Sequence, residues 1–486
     1  MLNWQQFLDN TKLVNTGLLI DGNWISDRDQ IDVINPADDK RIATVAKATT
    51  ADVELAIDSA AAAFLKWKTT GVVEKSKVLR RWYELMLENL DDLAKLVTLE
   101  CGKPLSEAQG EIKYAAKYLE WFSEELRRMD GDIIPANNPK QRSLVIKQPI
   151  GVCAAITPWN FPSAMLARKV GAAIAAGCTM IARPSSQTPL SALALGYLAI
   201  QAGLPNGAFN VINGDSELIA TKLCQSNIVR KLTFTGSTAV GSKLYRESAN
   251  TLKRLSLELG GNAPFIIFDD ANLDDAVDGL IKSKFRNAGQ TCVCANRVFV
   301  TPKIQDTFNA KLLTQIKQLK IGNGLDAGIN VGPLINVSAI KHAKNLIEEA
   351  LAKGARLVYG GEVHKLGHNF FTPTLLTNCT PDMRIFHEEI FAPIVAVYIF
   401  NTDAEVITLA NDTPVGLASY FYTNDTKRVF RIAEALEYGI VGVNTGMISA
   451  ENVPFGGIKH SGFGREGSSY GLDDYIDKKY ICLDLS

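Results

Sequence analysis

The chain contains no run of about eighteen consecutive apolar residues, so no membrane-spanning helix is expected from it. It has no excess of charge: 51 Lys and Arg stand against 52 Asp and Glu, a formal net charge of -1 at pH 7. No basic cluster reaches the density of a nucleic-acid or anionic-membrane footprint, which excludes both partner classes. Histidine is scarce, five in 486 residues, and Gly367 breaks any helix between His364 and His368. The eight cysteines lack framework spacing, which fits a reducing cytoplasm. No metal site is expected either, because a zinc site needs convergent ligands. The first ten residues carry no basic region leading into an apolar run, so no secretory signal is read there. Two nucleotide signatures are also missing: Gly-x-Gly-x-x-Gly between strand and helix, and the Gly-Lys-Ser/Thr ending of a phosphate loop.

What remains, 47% hydrophobic and 21% charged residues, is the makeup of an ordinary soluble protein of about two to four domains. Gly17 to Ser26 reads as a hairpin with Asp21-Gly22 in its turn. Apolar positions three or four apart predict a helix from Asp52 to Trp67. Longer helices follow, about Glu74 to Glu100 and Leu105 to Met129, punctuated by Cys101-Gly102-Lys103-Pro104. This front third reads as scaffold. A Pro-containing loop then leads to an alternating strand, Ser143 to Lys147, and the tail from Lys478 to Leu485 has similar character, so both suit an extended arm. From Ile150 to Asp270 apolar strands (Val152 to Ile156, Thr179 to Arg183, Phe209 to Ile212, Lys231 to Phe234, Pro264 to Phe268) alternate with helices (about Ser163 to Ala176, Pro189 to Ala202, Ser237 to Ala249). A second series follows from Phe285 to about Asn444, with strands Leu357 to Tyr359, Ile394 to Phe400, Ala418 to Thr423 and Ile440 to Val443. Continuous apolar strands alternating with helices predict parallel sheets covered on both faces. The expected fold class is α/β, with two doubly wound parallel-sheet domains and a small β arm.

Chemistry concentrates in a few stretches. Arg286-Asn287-Ala288-Gly289-Gln290-Thr291-Cys292-Val293-Cys294 lies between an amphipathic segment and the apolar Val298 to Val300. A thiol at the edge of rigid structure suits a nucleophile, yet it needs a partner to activate it. Taken alone, Cys292 reads more readily as a buried small hydrophobe. Phe234-Thr235-Gly236-Ser237 turns a strand into a helix, where free N–H groups favour an anion; the alternative is a helix start that binds nothing. In Thr157-Pro158-Trp159-Asn160-Phe161-Pro162, Asn160 is either an oxyanion donor or a turn residue bonded to its own backbone. Glu258 stands between Leu257 and Leu259, before Gly260-Gly261. It is either a base with a raised pKa or an exposed acid at a strand end.

These stretches occur together and in order. Pro158 to Pro162, Phe234 to Thr238, Leu257 to Gly261, Gly289 to Cys292, Glu388-Glu389-Ile390-Phe391 and Pro454-Phe455-Gly456-Gly457 resemble the aldehyde dehydrogenase superfamily along nearly the whole chain. The resemblance implies Cys292 as nucleophile, Glu258 as general base, and Asn160 with the Cys292 N–H as oxyanion hole. It implies a dinucleotide held at Thr157, Trp159, Gly236 and Ser237, with Glu389 on the nicotinamide ribose and Phe391 beside it. A thiohemiacetal on Cys292 would lose hydride to give a thioester, which water activated by Glu258 would hydrolyse.

Phe285 to Cys294 and Met165-Leu166-Ala167-Arg168-Lys169 are most similar to the succinate-semialdehyde dehydrogenases within that superfamily. That similarity implies a small-molecule aldehyde whose distal carboxylate meets Arg168, Arg286 and Ser449, and a planar guanidinium suits a carboxylate. Glutarate semialdehyde, one methylene longer, is the competing substrate, and a broader aldehyde range the looser alternative. Where the family commonly has Lys-Pro-x-Glu near the adenine ribose, this chain has Arg183-Pro184-Ser185-Ser186. Loss of the acid and gain of a guanidinium predict NADP in preference to NAD. Ala392 follows Phe391 where glycine is usual. Cys294 resembles a second cysteine that some members bond reversibly to the nucleophile. The resemblance further implies a cofactor domain at 1–126 and 147–257, a catalytic domain at 258–454, and an arm at 127–146 and 455–486 joining a homodimer or homotetramer. From other classes, a non-catalytic structural protein with this fold and a cofactor-free thiol hydrolase are the alternatives.

Overall fold

The computed structural model describes residues 2–486. The first of its two large sheets runs, edge to edge, Asn23–Ile25, Leu18–Ile20, Phe209–Val211, Thr179–Arg183, Val152–Ile156, Val229–Thr235, Arg254–Glu258 and Gly462–Phe463. From Phe209–Val211 to Arg254–Glu258 all neighbours are parallel, and the hairpin and Gly462–Phe463 add antiparallel edges. Val152–Ile156 and Thr179–Arg183 are buried along their whole length, as continuous apolar strands must be when helices cover both faces. Strand order reverses at Val152–Ile156, which has the next strand in sequence on one side and Val229–Thr235 on the other. Ligand crevices form beyond the carboxyl ends of strands at such a switch point. Thr157 and Gly236 stand there.

The second sheet runs Arg356–Tyr359, Thr374–Thr377, Ile394–Ile399, Ala295–Val300, Ala263–Ile267, Ala418–Tyr422 and Ile440–Val443, parallel except at the first pair. The segments carrying Gly260-Gly261, Cys292 and Glu389 each enter a strand of this sheet at its amino end. Glu258 is the last residue of its strand in the first sheet before the chain crosses to the second. The carboxyl end of one sheet therefore faces the amino end of the other, and the chemistry-bearing residues lie between them.

A third, antiparallel sheet pairs Gln141–Pro149 with Ile476–Asp484 on one side and Asp132–Ile134 on the other. Gly462–Phe463 pairs instead with Leu257 and Glu258. That part of the expected 455–486 arm segment thus packs on the body, and the second arm strand begins at Ile476.

Other expectations shift for local reasons. The single helix expected from Glu74 to Glu100 is two, Val72–Glu88 and Leu90–Cys101. Asn89 between them has φ -110° and ψ 24°, and its Nδ2 donates to the Leu85 carbonyl at 2.8 Å. Asparagine competes in this way for backbone partners and interrupts helices. The helix Ser216–Gln225 and the strand Thr374–Thr377 were not anticipated, the strand because it is too short to display a period. The hairpin turn holds Asp21 and Gly22 at φ 54° and 75°, the left-handed pair such a turn demands. Among the described residues no helix is long and apolar enough to cross a membrane.

Candidate active site

The Thr157 N–H still donates to the Arg183 carbonyl at 3.2 Å, which extends the first sheet to the mouth of the crevice. Pro158 stiffens the following turn, and Pro162 opens the helix Pro162–Ala176, a position where a missing N–H costs little. Asn160 is 4% exposed. Its Nδ2 donates to the Gln290 carbonyl at 3.0 Å and its Oδ1 has no partner. The carboxamide is therefore tied to the cysteine-bearing loop and not to its own turn.

That loop is strained. Asn287, Ala288 and Gly289 take φ of 50°, 54° and 78° in succession, a conformation only glycine adopts freely. Such strain persists where surroundings over-determine it. Asn287 Nδ2 donates to the carbonyls of Asn160 and Gln290 at 3.1 and 3.2 Å, and Gln290 Nε2 to the Asn287 carbonyl at 3.0 Å. Gln290 Oε1 in turn accepts from the Ile335 N–H at 2.9 Å. A Cβ on Gly289 would lie 2.3 Å from the Ala392 carbonyl oxygen, so the backbones approach here as glycine alone permits.

Cys292, partly exposed, lines two cavities of about 260 Å³ each. One is walled by Tyr114, Phe161, Arg168, Arg286, Ser449 and Phe455. The other is walled by Trp159, Gly236, Ser237, Glu258, Glu389 and Phe391. Burial pushes the Cys292 thiol up to about 12, and the nearby Arg168 charge opposes this only in part. The resting sulfur therefore keeps its proton at neutral pH. Glu258 is 2% exposed, and neither of its carboxyl oxygens has a partner. Burial, then the neighbouring Glu466 charge, holds its carboxyl well above the usual range. The exposed strand-end alternative is thereby removed.

The two arginines of the first cavity differ. Arg168 is buried and ion-paired to Glu466, with its guanidinium 4.4 Å from the Phe455 ring centroid. Arg286 is half-buried and forms no ion pair among the described residues. It stands 5.3 Å from the Phe161 ring centroid, and its Nε has no hydrogen-bond partner. Sequence reasoning missed Glu466, which also pairs with Lys169 across 297 positions of chain. Burial disfavours the Glu466 charge, but Arg168 and Lys169 outweigh it and leave that carboxyl below its ordinary range. The helix Leu105–Glu125, read as scaffold, also reaches this cavity through Glu107, Glu111 and Tyr114.

In the second cavity the Gly236 N–H donates to the Glu258 carbonyl at 3.0 Å, and Ser237 caps the helix Thr238–Ser248 by accepting from the Val240 N–H at 3.4 Å. Trp159 and Phe391 meet edge to face, 5.8 Å between centroids, with Phe391 held at φ 47°. Glu389 accepts from the Gly261 N–H at 3.2 Å, and burial raises its carboxyl to about 7. A Cβ on Gly260 would stand 3.0 Å from Glu389 Oε2. Thr157 is buried, and its hydroxyl lacks a partner. A helix start, an acid with a free oxygen and an aromatic pair around one cavity fit the phosphate, ribose and ring of a dinucleotide. Arg183 and Ser186 do not line this cavity. Arg183 Nη2 donates to Ser186 Oγ at 3.1 Å and to the Gly214 carbonyl at 3.3 Å, and also contacts Ser216 Oγ.

Cys294 lines neither cavity. Its Sγ donates to the Gly289 carbonyl at 3.2 Å and lies 3.7 Å from Lys284 Nζ. Among the described residues no group of three or more His, Cys, Asp and Glu is placed to hold a metal ion.

The protein-family model described as the aldehyde dehydrogenase family matches residues 24–481. The chain belongs to the aldehyde dehydrogenase family. It is 52% identical over 480 residues to a succinate-semialdehyde dehydrogenase of Escherichia coli (strain K12) named for NADP(+), over 98% of this chain and 100% of that one. It is 53% identical over 478 residues to a glutarate-semialdehyde dehydrogenase of Pseudomonas aeruginosa, over 98% and 99% of the two chains. Among solved structures, an NADP-dependent enzyme of E. coli matches with a TM-score of 0.98 at 52% identity, over 98% of this chain and 100% of that one. As an aldehyde dehydrogenase the protein is an oxidoreductase that acts on small-molecule aldehydes with a nicotinamide cofactor.

Proposed function

We propose that this aldehyde dehydrogenase oxidises succinate semialdehyde to succinate, with NADP preferred and NAD as the second cofactor. Arg286 carries the substrate assignment: a half-buried cation beside Cys292, in a cavity that also holds the Tyr114, Phe161 and Phe455 rings, with no ion-pair partner of its own among the described residues. The distal carboxylate of a four-carbon aldehyde acid meets this guanidinium, with Ser449 as a further donor and Arg168, held by Glu466, behind it. Each charge-assisted hydrogen bond contributes about 1.5–3 kcal/mol.

The Cys292 thiol gives up its proton to solvent and its sulfur adds to the aldehyde carbon. Asn160 Nδ2 and the Cys292 N–H donate to the oxygen as it becomes an alkoxide, a donor of this kind contributing about 3 kcal/mol in comparable sites. The nicotinamide, when bound, supplies the hydride acceptor. Glu258, free of partners, then takes a proton from the water that releases the acid from sulfur. Gly236 and Ser237 hold the pyrophosphate at the helix start, Glu389 the nicotinamide ribose, and Thr157, Trp159 and Phe391 the surroundings of the ring. Arg183 and Ser186, with no acid between them, favour a 2′-phosphate.

Identity to a glutarate-semialdehyde dehydrogenase supports glutarate semialdehyde as the second reading. One methylene separates two substrates by only about 1–3 kcal/mol. Steady-state kinetics with succinate semialdehyde, glutarate semialdehyde and a neutral aldehyde, each with both cofactors, decide the matter. A higher kcat/KM for glutarate semialdehyde overturns the substrate, and a higher one for NAD overturns the cofactor. On the arm, Ile133, Tyr480 and Leu483 are 83%, 61% and 48% exposed, apolar surface that supports a homodimer or homotetramer joined there. Light scattering that returns a monomer mass overturns this. Eight free cysteines support a cytoplasmic setting.

A further inference from the structure

Glu107 and Glu111 lie one turn apart on the helix Leu105–Glu125, and each reaches one of the two loops that carry the chemistry. Glu111 Oε1 accepts from the N–H groups of Ser163 and Ala164 at 2.9 and 3.2 Å, in the helix that follows Asn160. Its Oε2 accepts from Lys103 Nζ at 2.5 Å. The same Nζ donates to the Asn160 carbonyl at 2.7 Å and stands 3.8 Å from the Phe161 ring centroid. Glu107 Oε2 accepts from the Asn287 N–H at 2.7 Å, in the left-handed stretch that leads to Cys292. Lys103 and Glu111 are 1% and 3% exposed. Desolvation offsets much of the attraction in a buried ion pair, so its burial alone is no measure of stability. Outside the pair itself, the hydrogen bonds of Lys103 and Glu111 end on the backbone at Asn160 or just after it.

We infer that Lys103, Glu107 and Glu111 are positioning residues that set the separation between the Asn160 amide and the Cys292 sulfur. This rests on Asn160 being the oxyanion donor proposed above. One helix grips both loops through the Glu107 and Glu111 carboxylates, so moving the amide relative to the sulfur strains or breaks these hydrogen bonds. Misplacement of a reacting group by about an ångström costs on the order of a hundredfold in rate. Lys103 meets the catalytic groups only through the Asn160 carbonyl and the Phe161 ring. Its loss slows acylation of Cys292 and leaves KM near the wild-type value.

A double-mutant cycle on the full enzyme tests this, with single-turnover NADPH formation as the readout for wild type, Lys103→Met, Asn160→Ala and the double variant. Asn160→Ala is expected to slow acylation about 10²–10³-fold, and Lys103→Met about tenfold or more with kcat falling and KM nearly constant. The double variant is expected to match Asn160→Ala within about twofold, because coupled residues are non-additive. A further full loss on the Asn160→Ala background overturns the inference, since Lys103 then acts independently of Asn160. A raised KM at unchanged kcat overturns it too. Wild-type acylation in Asn160→Ala overturns the oxyanion assignment itself, a result distinct from either of these. Glu111→Gln keeps an acceptor for Ser163 and Ala164 but loses the ion pair. It runs the same cycle with the same deciding outcomes if Lys103→Met does not fold.

Discussion

The two cavities that meet at Cys292 differ in their ionisable side chains: only the first is lined by cations. Arg168 and Arg286 stand among aromatic rings on one side, while Glu258 and Glu389 stand on the other without ion-pair partners. Burial keeps both acids above their ordinary range. In the proposed function, recognition and proton handling are separated by a single sulfur atom: an anionic tail is drawn to the cationic side, which leaves the carbonyl carbon at the thiol. A desolvated carboxyl on the other side exchanges its proton nearer neutrality than a solvated one does.

The largest expected effect tests whether that sulfur joins the two sides. Cys292→Ala reduces aldehyde oxidation to background while cofactor binding, followed by fluorescence, persists. Glu258→Gln comes next: turnover falls about 10²–10⁴-fold, and mass spectrometry finds a thioester on the Cys292 peptide. The sign of the pH dependence follows from the raised Glu258 carboxyl. Below its pKa it is protonated and cannot take a proton from water, so deacylation rises as pH climbs through that raised value. In Glu258→Gln this limb disappears; a wild-type limb centred at an ordinary carboxylate pKa contradicts the assignment.

Breaking the cationic side alone has a smaller, selective effect. Arg286→Ala lowers kcat/KM for the acidic aldehyde about 10–100-fold and leaves a neutral aldehyde almost unchanged. Equal losses for both would make Arg286 structural. Ser186→Glu places an acid beside Arg183 and is expected to shift the NADP-to-NAD ratio of kcat/KM about tenfold towards NAD, read from initial rates with each cofactor. The smallest effect concerns Cys294. A Cys292–Cys294 disulfide requires Cys294 to leave Lys284 and Gly289, so wild type inactivated by mild peroxide recovers with dithiol whereas Cys294→Ala recovers less. Identical recovery removes Cys294 from the redox account.

What could be read from the sequence was what is local. Asn160, Gly236, Glu258 and Cys292 each sit in a short stretch whose composition signals a loop or strand end, and the structure brings all four to the junction of the two sheets. Glu107 and Glu111 were not legible, because their spacing in an amphipathic helix is that of any solvated face. The pairing of Arg168 with Glu466 was not legible either. The two residues lie far apart in the chain, and the antiparallel return of Gly462–Phe463 onto the first sheet brings the segment of Glu466 back to it. The break at Asn89 failed for a third reason: the apolar period runs straight through it, and one side chain decides the outcome.

Ile476–Asp484 pairs residue for residue with Gln141–Pro149, so the last strand of the chain shields an internal one. Cleavage before Lys478 would bare one row of N–H and C=O groups along most of Gln141–Pro149, a template on which any extended segment can assemble. Such a clipped protein should retain both large sheets and yet precipitate, and an excess of free peptide spanning Ile476 to Asp484 should delay the turbidity.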